Sequence, residues 1–251
     1  MTGLGTDAAL CAVLSMAGAV ALSAQAKPEK PVSFTGDVGI VNTAGNTSLT
    51  TLSVGDKLTI RSGKVLLTQT FALVYGKSEG VENANNQLLR GRADYQLASR
   101  LSGYGFIGYE RNRFAGISHR TDEGVGLALA AARGPSDELD LEGGVGLVQE
   151  TLLPDPAVDV TVSGSYASGR AAARYKHLFT KVTYFQQTLE FLADLEATTK
   201  YRVNSESALV APISSHLALK AGYLVKFNHA PPSPDLAKTD RTLTTGLQIT
   251  Y

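Results

Sequence analysis

Apolar side chains recur at every second position in one segment of this chain after another. Leu217, Leu219, Ala221, Tyr223, Val225 and Phe227 fall on one side of an extended backbone, and Lys220, Gly222, Lys226 and Asn228 fall on the other. Leu89, Ala93, Tyr95 and Leu97 oppose Arg90, Arg92, Asp94 and Gln96 in the same way, as Leu139, Leu141, Val145 and Leu147 oppose Asp140, Glu142, Gly144 and Gly146. Weaker alternation runs through 32–42, 47–60, 65–76, 101–111, 121–133, 160–176, 181–193 and 198–211. A last strand ends in TTGLQITY, with Leu243, Leu247, Ile249 and Tyr251 on its apolar side. Helical spacing is almost absent after Val32, and the pattern predicts about twelve strands. Two places strain it. Asp56 is in phase with Leu52, Val54, Leu58 and Ile60, which predicts either a place near membrane headgroups or a bulge that shifts the phase. From Tyr184 to Phe191 both phases carry apolar residues, so the inward face there is not assigned.

The connections alternate as well. RSGK, SR, GPSD, HLFT and ISSH read as tight turns, whereas GKSEGVENANN, NRFAGISHR, TLLPDPAVD and NHAPPSPDLAK read as longer loops. In an up-and-down antiparallel sheet this alternation puts turns at one end and loops at the other, and an even strand number puts both termini at the turn end. A soluble sandwich of such strands would bury Arg90, Glu142 or Lys220 on one face, or expose long rows of Leu, Val and Tyr on the other. A barrel in lipid satisfies both faces, and closure removes unpaired edges, so the last strand is expected to pair with the first, 32–42. The predicted fold is all-β, an antiparallel up-and-down transmembrane β-barrel of about twelve strands over residues 27–251.

Charge and cysteine content narrow the partners. With 23 basic and 23 acidic residues there is no electrostatic case for nucleic acid. Residues 8–22, AALCAVLSMAGAVAL, form an uncharged apolar run too short to cross a bilayer, and Ala24 and Ala26 follow as an A-x-A cleavage site. Residues 1–26 therefore read as a signal peptide, although MTGLGTD before the run carries Asp7 and no basic residue. Cleavage there would remove Cys11, and with it any thiol chemistry.

Four segments carry a family resemblance: GNTSLTTLSVGDKL (45–58), YERNRFAGISHRTDEGVGLALA (109–130), LDLEGGVGL (139–147), and the tail from SSHLALKAGYLVKF through KTDRTLTTGLQITY. They resemble the salt-induced outer-membrane proteins, a bacterial family built on a domain of unknown function. The resemblance covers most of the chain after residue 26, and YERNRFAGI and the KTD-to-aromatic tail are its more distinctive pieces. It implies an outer-membrane β-barrel without an assigned reaction, and no catalytic residues. TTGLQITY also resembles the C-terminal assembly signal of such barrels, with Thr244, Gly246, Ile249 and Tyr251 in its polar, glycine and two apolar positions. The implied partners are outer-membrane lipids and the barrel assembly machinery; oligomeric state is left open.

Candidate chemistry is thin. GYGFIG (103–108) matches G-x-G-x-x-G, but no helix follows to hold a pyrophosphate, so it is set aside. A lipid hydrolase with a rim Ser/His site is the alternative function, built on Ser118 with His119, or on His229, at the loop end. Asp155, Asp159, Asp235 and Asp240 show no metal-loop spacing, and no cofactor or metal is expected. The inward face holds the most suggestive set, with Arg90, Arg92, Arg170, Arg174, Arg202, Lys220 and Lys226 against Asp94, Glu110, Glu142 and Glu206. These groups predict either a weakly cationic pore or a lumen filled by ion pairs, and the small diameter of a twelve-stranded barrel favours a closed or narrow one.

Overall fold

The computed structural model describes residues 31–44, 49–78, 81–154, 161–197, 199–233 and 236–251. The segment read as a signal peptide, Cys11, Asp155, Asp159 and Asp235 lie outside the described residues. Twelve strands follow in order: β1 (Val32–Ala44), β2 (Leu49–Ser62), β3 (Val65–Ser78), β4 (Val81–Gln96), β5 (Leu101–Asn112), β6 (Ile117–Arg133), β7 (Asp137–Leu152), β8 (Ser163–Leu178), β9 (Tyr184–Asp194), β10 (Tyr201–Pro212), β11 (Leu217–Asn228) and β12 (Thr239–Thr250). Each pairs antiparallel with its neighbours in the chain, and β1 pairs with β12, so the sheet is a closed barrel.

The faces follow from the period of two. Ile107, Val125 and Val145 point outward and are 60, 61 and 58 % exposed, as part of a belt that continues through Leu52, Leu219 and Leu247. Inside, charged side chains are as buried as apolar ones: Arg120 and Glu142 are 6 and 9 % exposed beside Tyr104 at 4 % and Val148 at 1 %. β9 is also resolved into faces, with Leu189 and Phe191 exposed outside and Glu190 in ion pairs inside. The bulge predicted at Asp56 is absent. β2 runs in unbroken register with both β1 and β3, so Asp56 stays on the outer face midway along its strand. The register shifts that do occur, such as Gly76/Lys77 and Ala130/Ala132, lie towards strand ends.

Two expected loops are largely strand. β3 reaches Ser78 and β4 starts at Val81, which absorbs most of GKSEGVENANN. Backbone pairing alone sustains these extensions, because beyond the apolar belt water replaces the requirement for alternation; Asn85 Nδ2 donates to Glu82 Oε1 at 2.9 Å there. NRFAGISHR shrinks to a 3-10 turn, Arg113–Ala115, closed by Asn112 Oδ1 accepting from the Ala115 amide and by Gly116 at φ 76°.

The seam between β1 and β12 runs from Thr35 opposite Thr250 to Ala44 opposite Arg241. Phe34 and Tyr251 extend it by exchanging backbone hydrogen bonds of 3.1 and 2.9 Å. At its centre Gly39 faces Gly246 so closely that a Cβ on Gly246 would lie 2.2 Å from the Val38 carbonyl oxygen. Glycine at 246 is thus a steric condition of closure.

Candidate functional site

The side chains expected inside the barrel all lie on its inner face, and most are joined in ion pairs. Arg92 forks onto Asp94, with Nη2 to Oδ1 at 2.7 Å, and reaches across to Glu142 Oε2 at 2.9 Å. Glu142 also accepts from Arg170 at 2.6 Å and from Arg174 at 3.4 Å. Arg170 continues to Glu190 at 2.7 Å and to the Tyr104 hydroxyl at 3.1 Å, while Arg90 pairs with Asp122 at 2.7 Å. The Arg92 guanidinium lies 4.1 Å from the Tyr104 ring centroid, in cation–π range. Among Tyr104, Phe106, Arg170 and Arg202 the cavity open to water is only about 10 Å³, the limit for one molecule.

Towards the loop end a second cluster forms. Arg120 holds Glu150 at 2.7 Å and Glu110 at 3.2 Å, and Lys226 meets Glu110 at 3.3 Å. Lys220 pairs with Asp37 at 3.2 Å beside the seam. Arg202 touches the Tyr166 hydroxyl at 3.4 Å. Glu206 and the half-exposed Arg174 remain open to water, near Lys57 of β2.

Two of these contacts cross the lumen. Arg90 of β4 lies 3.8 Å from Glu190 of β9, and Lys226 of β11 reaches Glu110 of β5, six strands away around the ring. A circular barrel of twelve strands spaced ~4.8 Å apart and tilted ~40° would hold opposite backbones roughly 24 Å apart. Extended lysine and glutamate side chains meeting end to end span only roughly 15 Å by standard bond lengths. The cross-section is therefore oval, with β5 and β11 across its short axis. Beyond these crossing contacts a cavity of about 480 Å³ opens at the loop end, lined by Arg120, Glu150, Tyr166, Lys200, Arg202 and Asn228.

Glycines make room for this filling. A Cβ on Gly108 would lie 2.2 Å from Asp122 Oδ1, and one on Gly126 would lie 2.5 Å from the Tyr104 hydroxyl and 2.3 Å from the Gly143 carbonyl. GYGFIG is thus a strand segment whose last glycine admits the Arg90–Asp122 pair. Gly126→Val is expected to destabilise the barrel by about 1–3 kcal/mol through overpacking, read as a lower urea midpoint of the folded band on an unheated gel.

Sequence reasoning passed over Asp37, Lys57, Arg120, Asp122, Glu150 and Glu190. Each sits on the inner phase of its strand, so the alternation carried a signal for them, weakest in β9. The hydrolase residues are not brought together. His119 is exposed, His229 stacks on Tyr201 with ring centroids 4.7 Å apart, and at the loop end no serine hydroxyl meets a histidine among the described residues. No group of three His, Cys, Asp or Glu side chains suited to a metal occurs among the described residues either.

A closed barrel with an apolar belt outside and ionised groups inside is the architecture of outer-membrane β-barrels. Within that class the chain belongs to the family of proteins of unknown function DUF481, whose model matches residues 36–251. The uncharacterized protein YdiY of Escherichia coli (strain K12) is 26% identical over 223 residues, 88% of this chain and 84% of that protein. Among solved structures, the NanC porin aligns with a TM-score of 0.57 at 8% identity, over 85% of this chain and 98% of the porin. An outer-membrane channel from Pseudomonas putida F1 aligns with a TM-score of 0.55 at 10% identity, over 88% and 94%. At these identities the likeness is one of fold.

Proposed function

We propose that the protein is a bacterial outer-membrane β-barrel whose lumen is held shut by ion pairs that cross it. It serves the envelope structurally, or as a narrow channel that conducts only when those ion pairs part, and without catalysis. The observation that carries this reading is the pair of cross-lumen contacts, Arg90–Glu190 and Lys226–Glu110, packed beside the Arg92–Glu142–Arg170 network. Ion pairs of this kind satisfy inward charges without water and occupy the space a solute would need. The turn end, with β1 and β12, faces the periplasm in this reading, and the cavity lined by Arg202 faces outward. Export through a cleaved signal peptide, insertion by the barrel assembly machinery through Thr244, Gly246, Ile249 and Tyr251, and production under salt stress complete the proposal; they rest on the sequence pattern and the family resemblance. Liposomes carrying the purified protein are expected not to swell in an isosmotic monosaccharide solution at loads where an open porin gives rapid swelling. Swelling at the porin's rate would overturn the closed lumen.

A further inference from the structure

Several polar groups on the outer face find partners there. Gln187 Nε2 donates to Ser205 Oγ at 2.9 Å, and Ser207 Oγ donates to Gln187 Oε1, tying β9 to β10. Tyr175 and His177 both meet Asp137 Oδ1, at 2.5 and 2.8 Å, beside the turn between β6 and β7. Glu123 faces Ile107 and Leu147 of the belt, and Thr121, opposite Tyr109 and Gln149, is the next outward position towards the loop end, so its carboxylate lies within a side chain's length of the belt's edge. Asp56 and Gln69 differ. Asp56 shares the outer face with Leu52, Val54 and Ile60, and Gln69 shares it with Leu67 and Tyr75, yet neither side chain has a hydrogen-bond partner among the described residues.

In lipid that arrangement is costly, and an ionisable group there normally turns to a partner. A hydrogen bond from Gln69 within the same chain would occupy one carboxylate oxygen and leave the other bare. In register, Asp56 faces Gly36 and Phe71, and Gln69 faces Leu58 and Gly91, so a glycine beside each leaves it open to approach. The row from Leu217 through Ile249, Gly36, Asp56 and Phe71 to Tyr109 climbs from the turn end to the loop end. With a tilt of ~40° each strand in that row stands about 3 Å higher than the last, while Gln69 lies two residues, about 5 Å, below Phe71. Asp56 and Gln69 thus share one depth to within roughly 2 Å. An acceptor and a donor at equal depth are self-complementary about a two-fold axis along the membrane normal.

We propose that the outer face of β1–β4 is the interface of a homodimer, in which Asp56 of one copy accepts a hydrogen bond from the Gln69 amide of the other, and reciprocally. The proposal rests on the outer face lying in lipid. It is tested by oxidative cross-linking of full-length protein in native outer membranes, in a Cys11→Ser background that removes the chain's one cysteine. Leu58→Cys, between the two polar residues, is expected to give a covalent dimer, and Val145→Cys across the barrel is not. Adding Asp56→Leu and Gln69→Leu to Leu58→Cys should lower the dimer yield by about tenfold, or ~1.4 kcal/mol, with the barrel still shifting mobility on heating. Equal cross-linking at 58 and 145, or an undiminished yield in the leucine variant, would overturn the dimer. Absence of the heat-shifted band from wild-type membranes would instead count against the membrane barrel itself.

Discussion

Glu142→Gln is expected to lower the stability of the folded barrel by about 3–5 kcal/mol, the usual consequence of removing one partner from a buried ionic cluster. The Glu142 side chain is 4 % exposed and accepts from Arg92, Arg170 and Arg174 together. Its loss leaves three guanidinium groups facing an uncharged amide, with Asp94 beside Arg92, Glu190 beside Arg170 and, at 3.9 Å, Asp140 beside Arg174. The urea midpoint of the heat-shifted band should therefore fall far more than for Glu206→Gln, whose carboxylate stays exposed within the lumen. Equal midpoints for the two variants would mean that the cluster contributes little and that the lumen is wetter than its geometry indicates.

Gly246→Val is expected to have the second large effect, on assembly. Any Cβ at 246 meets the Val38 carbonyl oxygen at 2.2 Å and the Gly39 Cα at 2.5 Å, and both belong to the backbone, which cannot turn aside. The seam must then open locally, and unpaired amides and carbonyls in hydrocarbon cost several kcal/mol each. Folded protein in the membrane fraction should fall to a small part of wild type, while Thr245→Val, one residue away with its side chain on the outer face, assembles normally. Equal yields would show that the seam tolerates a wider spacing. This also gives the glycine of TTGLQITY a role in the folded barrel alongside its resemblance to an assembly signal.

Strand number, closure and part of the inward ionisable set were legible because each follows from a local alternation repeated along the chain, whereas Asp37, Lys57, Arg120, Asp122, Glu150 and Glu190 were passed over. Strand ends were less so. Between Gly76 and Asn86 most residues are polar or glycine, and nothing local separates an aqueous strand extension from a loop. Partner choice inside the barrel was not legible at all. Glu110 and Lys226 are 116 residues apart and meet only because twelve pairings, each with its own register, flatten the ring and bring β5 opposite β11. Asp56 marks the reverse case: its pattern was visible as an anomaly, and only the unbroken registers of β1–β2 and β2–β3 show that it stays outside.

In the proposed function the lumen is shut by groups that cross it. Single-channel recording in planar bilayers tests this most directly, with wild type compared against the Glu110→Gln/Glu190→Gln double variant, which weakens both crossing contacts. Little or no current is expected from wild type, and discrete openings from the variant. Steady open-channel current from wild type, unchanged in the variant, would contradict it.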